Sequence, residues 1–256
     1  MLGAIAGDVI GSVFEFASFK EYDFPLFSKE STFTDDSVLT VAVADAFINH
    51  LDVARTLKEY ALRYPGRGYG GSFSKWMHSE SLAPYNSWGN GSAMRTSALG
   101  FLIDDQFELL RVSRDFAAVT HDHPEGIKGA QATAYAIYLA RKGSTKEEIQ
   151  KEISTWFGYD LSKTLDQIRP SYFFDESCQK TVPPAIIAFL ESEDYEDAVR
   201  KAISLGGDAD TLACITGAIA EAFYGMVPEH IARETYQRLP DEFIQVMDKF
   251  YLMRED

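Results

Sequence analysis

Apolar side chains recur at intervals of three and four residues along most of the chain, and sustained alternation of apolar and polar residues is scarce. That periodicity predicts a mainly helical, all-α fold. Leu57, Tyr60, Ala61 and Tyr64 show the spacing, which places them on one helix face. From Gly126 to Arg141 the chain is rich in alanine with no internal proline, and Ser144-Thr145-Lys146-Glu147 forms a capping-box start for the next helix. Further helices are predicted near 183–191, 195–205, 211–224, 228–238 and 241–252. Gly3, Gly7 and Gly11 fall four apart, on one face of a helix, where the missing side chains let another backbone approach closely. This helix is expected to be buried and to run out at Phe14-Glu15, into an aromatic loop through Phe16, Phe19, Tyr22, Phe24 and Phe27.

Three glycine-rich loops interrupt the helical pattern, at 65–71, 86–92 and 206–208. Each precedes a helical run, so each can present free backbone N–H groups at a helix start. No low-complexity linker, repeat period or composition shift divides the chain, so 1–256 is expected to be one domain.

Composition narrows the function classes. The chain carries 39 acidic against 24 basic residues, a net charge of −15, which argues against general nucleic-acid binding because phosphate neutralisation needs a basic footprint. Its two cysteines, Cys178 and Cys214, make neither a disulfide framework nor a Cys-x-x-Cys zinc or redox pattern, and a reducing cytoplasm fits them best. The first residues lack a basic region and carry Asp8 and Glu15 within an apolar stretch, unlike a signal peptide or a membrane span.

Two acidic motifs stand at predicted helix starts. Thr34-Asp35-Asp36-Ser37 precedes the run Val38–Ala44, and Gly206-Gly207-Asp208-Ala209-Asp210-Thr211 opens the helix from Leu212 to Tyr224. One capping residue suffices at each start, so the second aspartate is unexplained by capping. Carboxylate and hydroxyl oxygens suit hard cations such as Mg²⁺, Mn²⁺ or Ca²⁺. If the fold brings the two helix ends together, four carboxylates converge, and their repulsion is offset when two divalent ions sit between them.

Two further segments carry polar chemistry. Ser87–Ser92 is either a turn closed by a Ser92 cap or a backbone cradle for a pyrophosphate, and Arg95 beside it either faces an anion or makes a salt bridge. In Thr120-His121-Asp122-His123, a zinc site lacks two further ligands nearby, and a cleft-lining role for His121 is preferred.

In order along the chain, Gly3-Ala4-Ile5-Ala6-Gly7-Asp8 to Glu15, Phe33–Ser37, Gly66–Gly70, Gly89–Arg95, Thr120-His121 and Gly207–Thr211 together resemble the ADP-ribosylglycohydrolase family. The resemblance implies a compact orthogonal α-helical fold with two Mg²⁺ or Mn²⁺ ions as cofactors. By motif it implies Thr34, Asp35, Asp36, Asp208, Asp210 and Thr211 as metal ligands, and Glu15 as a residue near the metals that helps position substrate and water. It implies ADP-ribose contacts from Gly68, Tyr69 and Gly70, from Ser87, Trp88, Gly89, Asn90, Gly91 and Ser92, and from His121.

The expected partner is an ADP-ribosylated protein, with a nucleic acid or small molecule as other possible acceptors, and no membrane; a monomer is favoured. The loops from Glu15 to Ser31 and from Gly158 to Thr181 depart from some relatives and are expected to shape the acceptor side. The expected reaction is hydrolysis of the bond from ribose C1 to an acceptor, arginine favoured over serine or nucleic acid, with Glu15, Asp36 or Asp210 taking a proton from water. Two rivals stand beside it: an inactive ADP-ribose-binding protein of the same fold, and a different metal-dependent hydrolase acting on phosphoesters.

Overall fold

The computed structural model describes residues 1–255; residue 256, the last of the expected domain, lies outside the described residues. Among them the chain forms fifteen α-helices: α1 (Leu2–Gly11), α2 (Asp35–Ile48), α3 (Val53–Arg63), α4 (Gly71–Met77), α5 (Gly91–Met94), α6 (Ser97–Leu102), α7 (Gln106–Ala118), α8 (Pro124–Arg141), α9 (Lys146–Phe157), α10 (Leu165–Ile168), α11 (Cys178–Leu190), α12 (Tyr195–Ile203), α13 (Ala209–Tyr224), α14 (Glu229–Tyr236) and α15 (Asp241–Glu255). The described residues contain no β-strand, only a single bridge pairing Gly89 with Ser177. No helix among them is long and apolar enough to cross a membrane.

Helix α13 is the axis of the core. All its residues but the last two are buried, and α1, α8, α11 and α12 pack around it. Helix α1 is buried on every side and runs antiparallel to α13, because its glycine face removes the side chains that would hold the two backbones apart. A Cβ at Gly7 would lie 2.1 Å from the carbonyl oxygen of Ala213, and one at Gly11 would lie 2.5 Å from Cα of Asp210. The glycine spacing therefore does more than permit burial. It sets the end of α1 directly against the start of α13, where the second acidic motif stands.

Several helix starts differ from the sequence expectation by a register. The capping box of α9 is formed by Thr145 and Glu148 and not by Ser144 and Glu147, so the helix begins one residue later. Helix α11 begins at Cys178, five residues before the expected start at Pro183, and carries Pro183 and Pro184 inside it. The prolines remove two backbone donors. The carbonyl of Lys180, which Pro184 leaves without its helical partner, accepts the Tyr172 hydroxyl at 2.9 Å instead. That exchange ties the segment before α11 to the helix.

Candidate metal centre and cleft

Three helix ends meet: the end of α1 and the starts of α2 and α13. Asp8, the one charged residue of α1, is wholly buried and acts as a cap for α2 from outside that helix. Its carboxylate accepts the Thr34 hydroxyl at 2.6 Å, the Thr34 and Ser37 backbone N–H groups at 3.0 Å each, and the Ser37 hydroxyl. Orphan amides at a helix start are thus satisfied by a carboxylate that the helix dipole also favours. Thr34 caps as expected, accepting the Asp36 N–H at 3.3 Å.

Across from it, Thr211 on α13 donates its hydroxyl to Asp36 at 3.2 Å, so the two motifs touch. Asp208 does not cap α13 with its side chain; it accepts Asn90 Nδ2 at 2.6 Å, while Asn90 also donates to Thr181 at 3.0 Å. Gly206 and Gly207 adopt positive φ, at 70° and 78°, in the left-handed turn that leads into Asp208, which stands at the N-cap position with its side chain turned to Asn90.

Oxygens of Asp8, Asp36 and Asp210 lie within 4.8 Å of one another, as do those of Glu15, Asp208 and Asp210. Asp210 belongs to both groups. Burial, then the charges of Asp8, Asp35 and Asp208, lifts Asp36 well above the usual carboxylate range; burial, then Asp208 and Asp36, does the same to Asp210. Burial raises Asp8 too, against the lowering effect of its hydrogen bonds, and raises Asp35, with Asp8 and Asp208 adding to it. Glu15 is pushed up to about 7 by burial, then by Asp208, Asp8 and Glu176. The charges that act most strongly on Asp36 are other carboxylates, Asp8, Asp35 and Asp208.

One oxygen of Asp36, Oδ1, is buried with no hydrogen-bond partner among the described residues. A buried ionised carboxylate with neither cation nor donor costs several kcal/mol (roughly), and hard oxygen donors at this spacing are what a divalent cation takes. The residues therefore fit a bound metal.

The centre forms one wall of a cleft of about 180 Å³. Glu15, Asp35, Asp36, Asp208, Asp210 and Thr211 line it together with Gly68, Gly70, Ser87, Gly89, Asn90, Gly91 and His121. Thr34, Tyr69, Trp88 and Ser92 are not part of the lining. Thr34 is turned to Asp8; Tyr69 donates its hydroxyl to the Tyr64 carbonyl at 2.8 Å and stacks on Phe73. Trp88 is 53% exposed and lies against His123. Ser92 is no cap of α5; it donates to the Gly126 carbonyl at 2.7 Å, and Asn90 precedes the helix without a side-chain cap.

The structure adds residues that the sequence left without a role. Asp8 was visible only as a lone acid inside an apolar run. Tyr85, Phe174 and Glu176 also line the cleft. Glu176 reaches it because the 172–177 segment is fastened to the glycine loop: Asn90 N–H donates to the Glu176 carbonyl at 2.7 Å and Cys178 N–H to the Trp88 carbonyl at 3.0 Å. Nothing in the local sequence signals that pairing. Arg95 lines the cleft and makes no salt bridge among the described residues; it is 1% exposed, donates to Thr120 Oγ1 at 2.8 Å, and has Nη1 buried without a partner.

An all-α fold thus gathers buried carboxylates from three helix ends beside a glycine-lined cleft, an arrangement of hard oxygen donors able to bind a metal ion. The family model for ADP-ribosylglycohydrolase matches residues 1–256. The chain is 26% identical to ADP-ribosylhydrolase ARH3 of Homo sapiens over 314 residues, covering 90% of this chain and 86% of that protein. It is likewise 26% identical over 308 residues to ADP-ribosylhydrolase ARH3 of Danio rerio, covering 88% and 82%. Among solved structures, an ADP-ribosylglycohydrolase-related protein complex superposes with a TM-score of 0.72 at 24% identity, over 99% of this chain and 97% of the other. The chain belongs to the ADP-ribosylglycohydrolase family, which makes ADP-ribosyl hydrolysis its class of activity and ADP-ribosylated molecules its class of substrate.

Proposed function

We propose that this chain, acting as one domain, hydrolyses the glycosidic bond between ADP-ribose and an acceptor, with two Mg²⁺ or Mn²⁺ ions held by the acidic centre. The unpartnered Oδ1 of Asp36, buried among carboxylates and beside the cleft, carries the reading. Asp36 would hold one ion and Asp208 the other, with Asp210 between them, since Asp210 belongs to both groups of converging oxygens, whereas the oxygens of Asp8 are engaged by Thr34 and Ser37. Asp35, Thr34 and Thr211 complete the set that the family motifs imply; of these, Asp35 and Thr211 line the cleft, whereas Thr34 is engaged with Asp8.

Bound ions of this kind orient sugar hydroxyls and lower the pKa of coordinated water. The chain's own residues supply the rest. Glu15, half-buried in the cleft wall beside Asp208 and Asp210, is placed to take a proton from an incoming water or give one to a leaving group. The loops bearing Gly68, Gly70 and Gly89–Gly91 offer close backbone approach to the diphosphate, and His121 lines the same floor.

The acceptor enters over Glu15, Phe174 and Glu176. A rim of two carboxylates and an aromatic ring suits a cationic planar guanidinium, so arginine-linked ADP-ribose is the favoured substrate. Assay of arginine-, serine- and nucleic-acid-linked ADP-ribose with Mg²⁺ and with Mn²⁺ tests this. Release of free ADP-ribose fastest from the arginine linkage is expected; equal or faster release from the others overturns the acceptor assignment, and binding of ADP-ribose with no release from any of them establishes an inactive binding protein.

A further inference from the structure

Arg95, Thr120 and His121 form a chain of polar contacts behind the glycine cradle, and all three are buried, at 1%, 0% and 4% exposure. Arg95 Nη2 donates to Thr120 Oγ1 at 2.8 Å, and Thr120 Oγ1 lies 2.7 Å from His121 Nδ1. Hydrogen-bond bookkeeping settles the direction of the second contact. A threonine hydroxyl has one hydrogen and two lone pairs, and guanidinium only donates. If His121 Nδ1 donated as well, Thr120 Oγ1 would accept twice and its own hydrogen would be left buried without an acceptor, since the described residues provide no other partner for it. Buried hydroxyls seldom stay unpaired. With Thr120 donating to Nδ1, the Thr120 hydroxyl and His121 Nδ1 are both satisfied.

We infer that Arg95 and Thr120 are positioning residues which hold His121 as the neutral tautomer protonated on Nε2, so that it offers a hydrogen-bond donor to an anionic oxygen of the ligand in the glycine cradle. His121 Nε2 is placed for this. It lies 3.6 Å from where a Cβ would stand on Gly89 and 3.5 Å from the same point on Gly91, and no described residue bonds to it. Burial, then the charge of Arg95, holds the His121 ring well below its ordinary pKa, which keeps it neutral. Arg95 gives one donor to Thr120 and so orients the relay. The identity of the anion as a phosphate of ADP-ribose rests on the function proposed above; the tautomer does not.

The test separates the two. In protein labelled with ¹⁵N-histidine, with His121 assigned through His121→Gln, the nitrogen shifts report which ring atom carries the proton. Wild type is expected to show Nε2 protonated and Nδ1 bare. Thr120→Val keeps the shape but removes the relay, and is expected to shift His121 toward the other tautomer and weaken ADP-ribose binding, measured by calorimetry with Mg²⁺ present, by about tenfold, the loss of one hydrogen bond to a charged group. Thr120→Ser should restore both. Protonation on Nδ1 in wild type, or an unchanged tautomer in Thr120→Val, overturns the inference, and the wild-type spectrum stands even where the valine variant does not fold. The expected tautomer and its loss in Thr120→Val, together with no affinity of wild type for ADP-ribose, supports the relay and counts instead against the ligand reading.

Discussion

At the scale of single residues, the centre is a set of carboxylates that the fold holds at a cost. Asp8, Asp35, Asp36 and Asp210 are all raised above their ordinary range by burial first, and the last three next by neighbouring carboxylates. A carboxylate whose folded pKa is raised destabilises the folded state once it ionises. Asp36→Asn removes one such charge while keeping the shape and an acceptor oxygen for Thr211. Metal-free Asp36→Asn is therefore expected to be more stable than metal-free wild type, by about 1 kcal/mol in denaturant titration, and yet to lose turnover by roughly 100-fold or more. Lower stability together with normal turnover would show that Asp36 is structural. Glu15 gives the sign of the pH dependence. Its folded pKa of about 7 lies above the ordinary 4.5, so the folded protein binds the proton more tightly than the unfolded chain does. Its favourable contribution is fully present below the ordinary value and is lost as pH rises through 7. Metal-free protein should thus lose thermal stability between about pH 5 and about pH 8, and added Mg²⁺ should raise Tm far more at the upper pH; scanning calorimetry with and without EDTA reads both.

At the scale of helices, the glycine face of α1 is what delivers Asp8 to Asp36 and Asp210. A Cβ at Gly7 meets backbone at 2.1 Å, an atom that cannot swing away. Gly7→Ala is expected to cost about 3 kcal/mol or more and to weaken Mg²⁺ binding, because relief of the clash moves α1 away from α13. Stability within about 0.5 kcal/mol of wild type would show that the helices are free to slide apart. Much of this was legible in the sequence: the helical period, the glycine spacing and the doubled aspartates each follow from a local rule. What was not legible depended on long-range partners. Asp8 caps a helix that starts 27 residues later in the chain. Asp208 stands at a helix start yet gives its side chain to Asn90, 118 residues earlier in the chain. Glu176 reaches the cleft through one bridge between loops. The start of α11 was misplaced because proline marks a helix start locally, whereas here a tyrosine hydroxyl compensates for the carbonyl it leaves free.

At the scale of the whole molecule, α1, α8, α11 and α12 pack around the buried axis α13, and the chemistry sits where the ends of α1, α2 and α13 converge. Family membership fixes the class of reaction, and the geometry adds how this chain would carry it out. The most direct measurement is the release of free ADP-ribose from an arginine-linked substrate by protein stripped with EDTA, then supplied with Mg²⁺ or Mn²⁺, for wild type, Asp36→Asn and Asp210→Asn. Release that vanishes on stripping, returns with either ion in wild type and does not return in the two variants is the expected result. Undiminished release by the stripped protein, or by both variants, contradicts a hydrolytic centre built on these carboxylates.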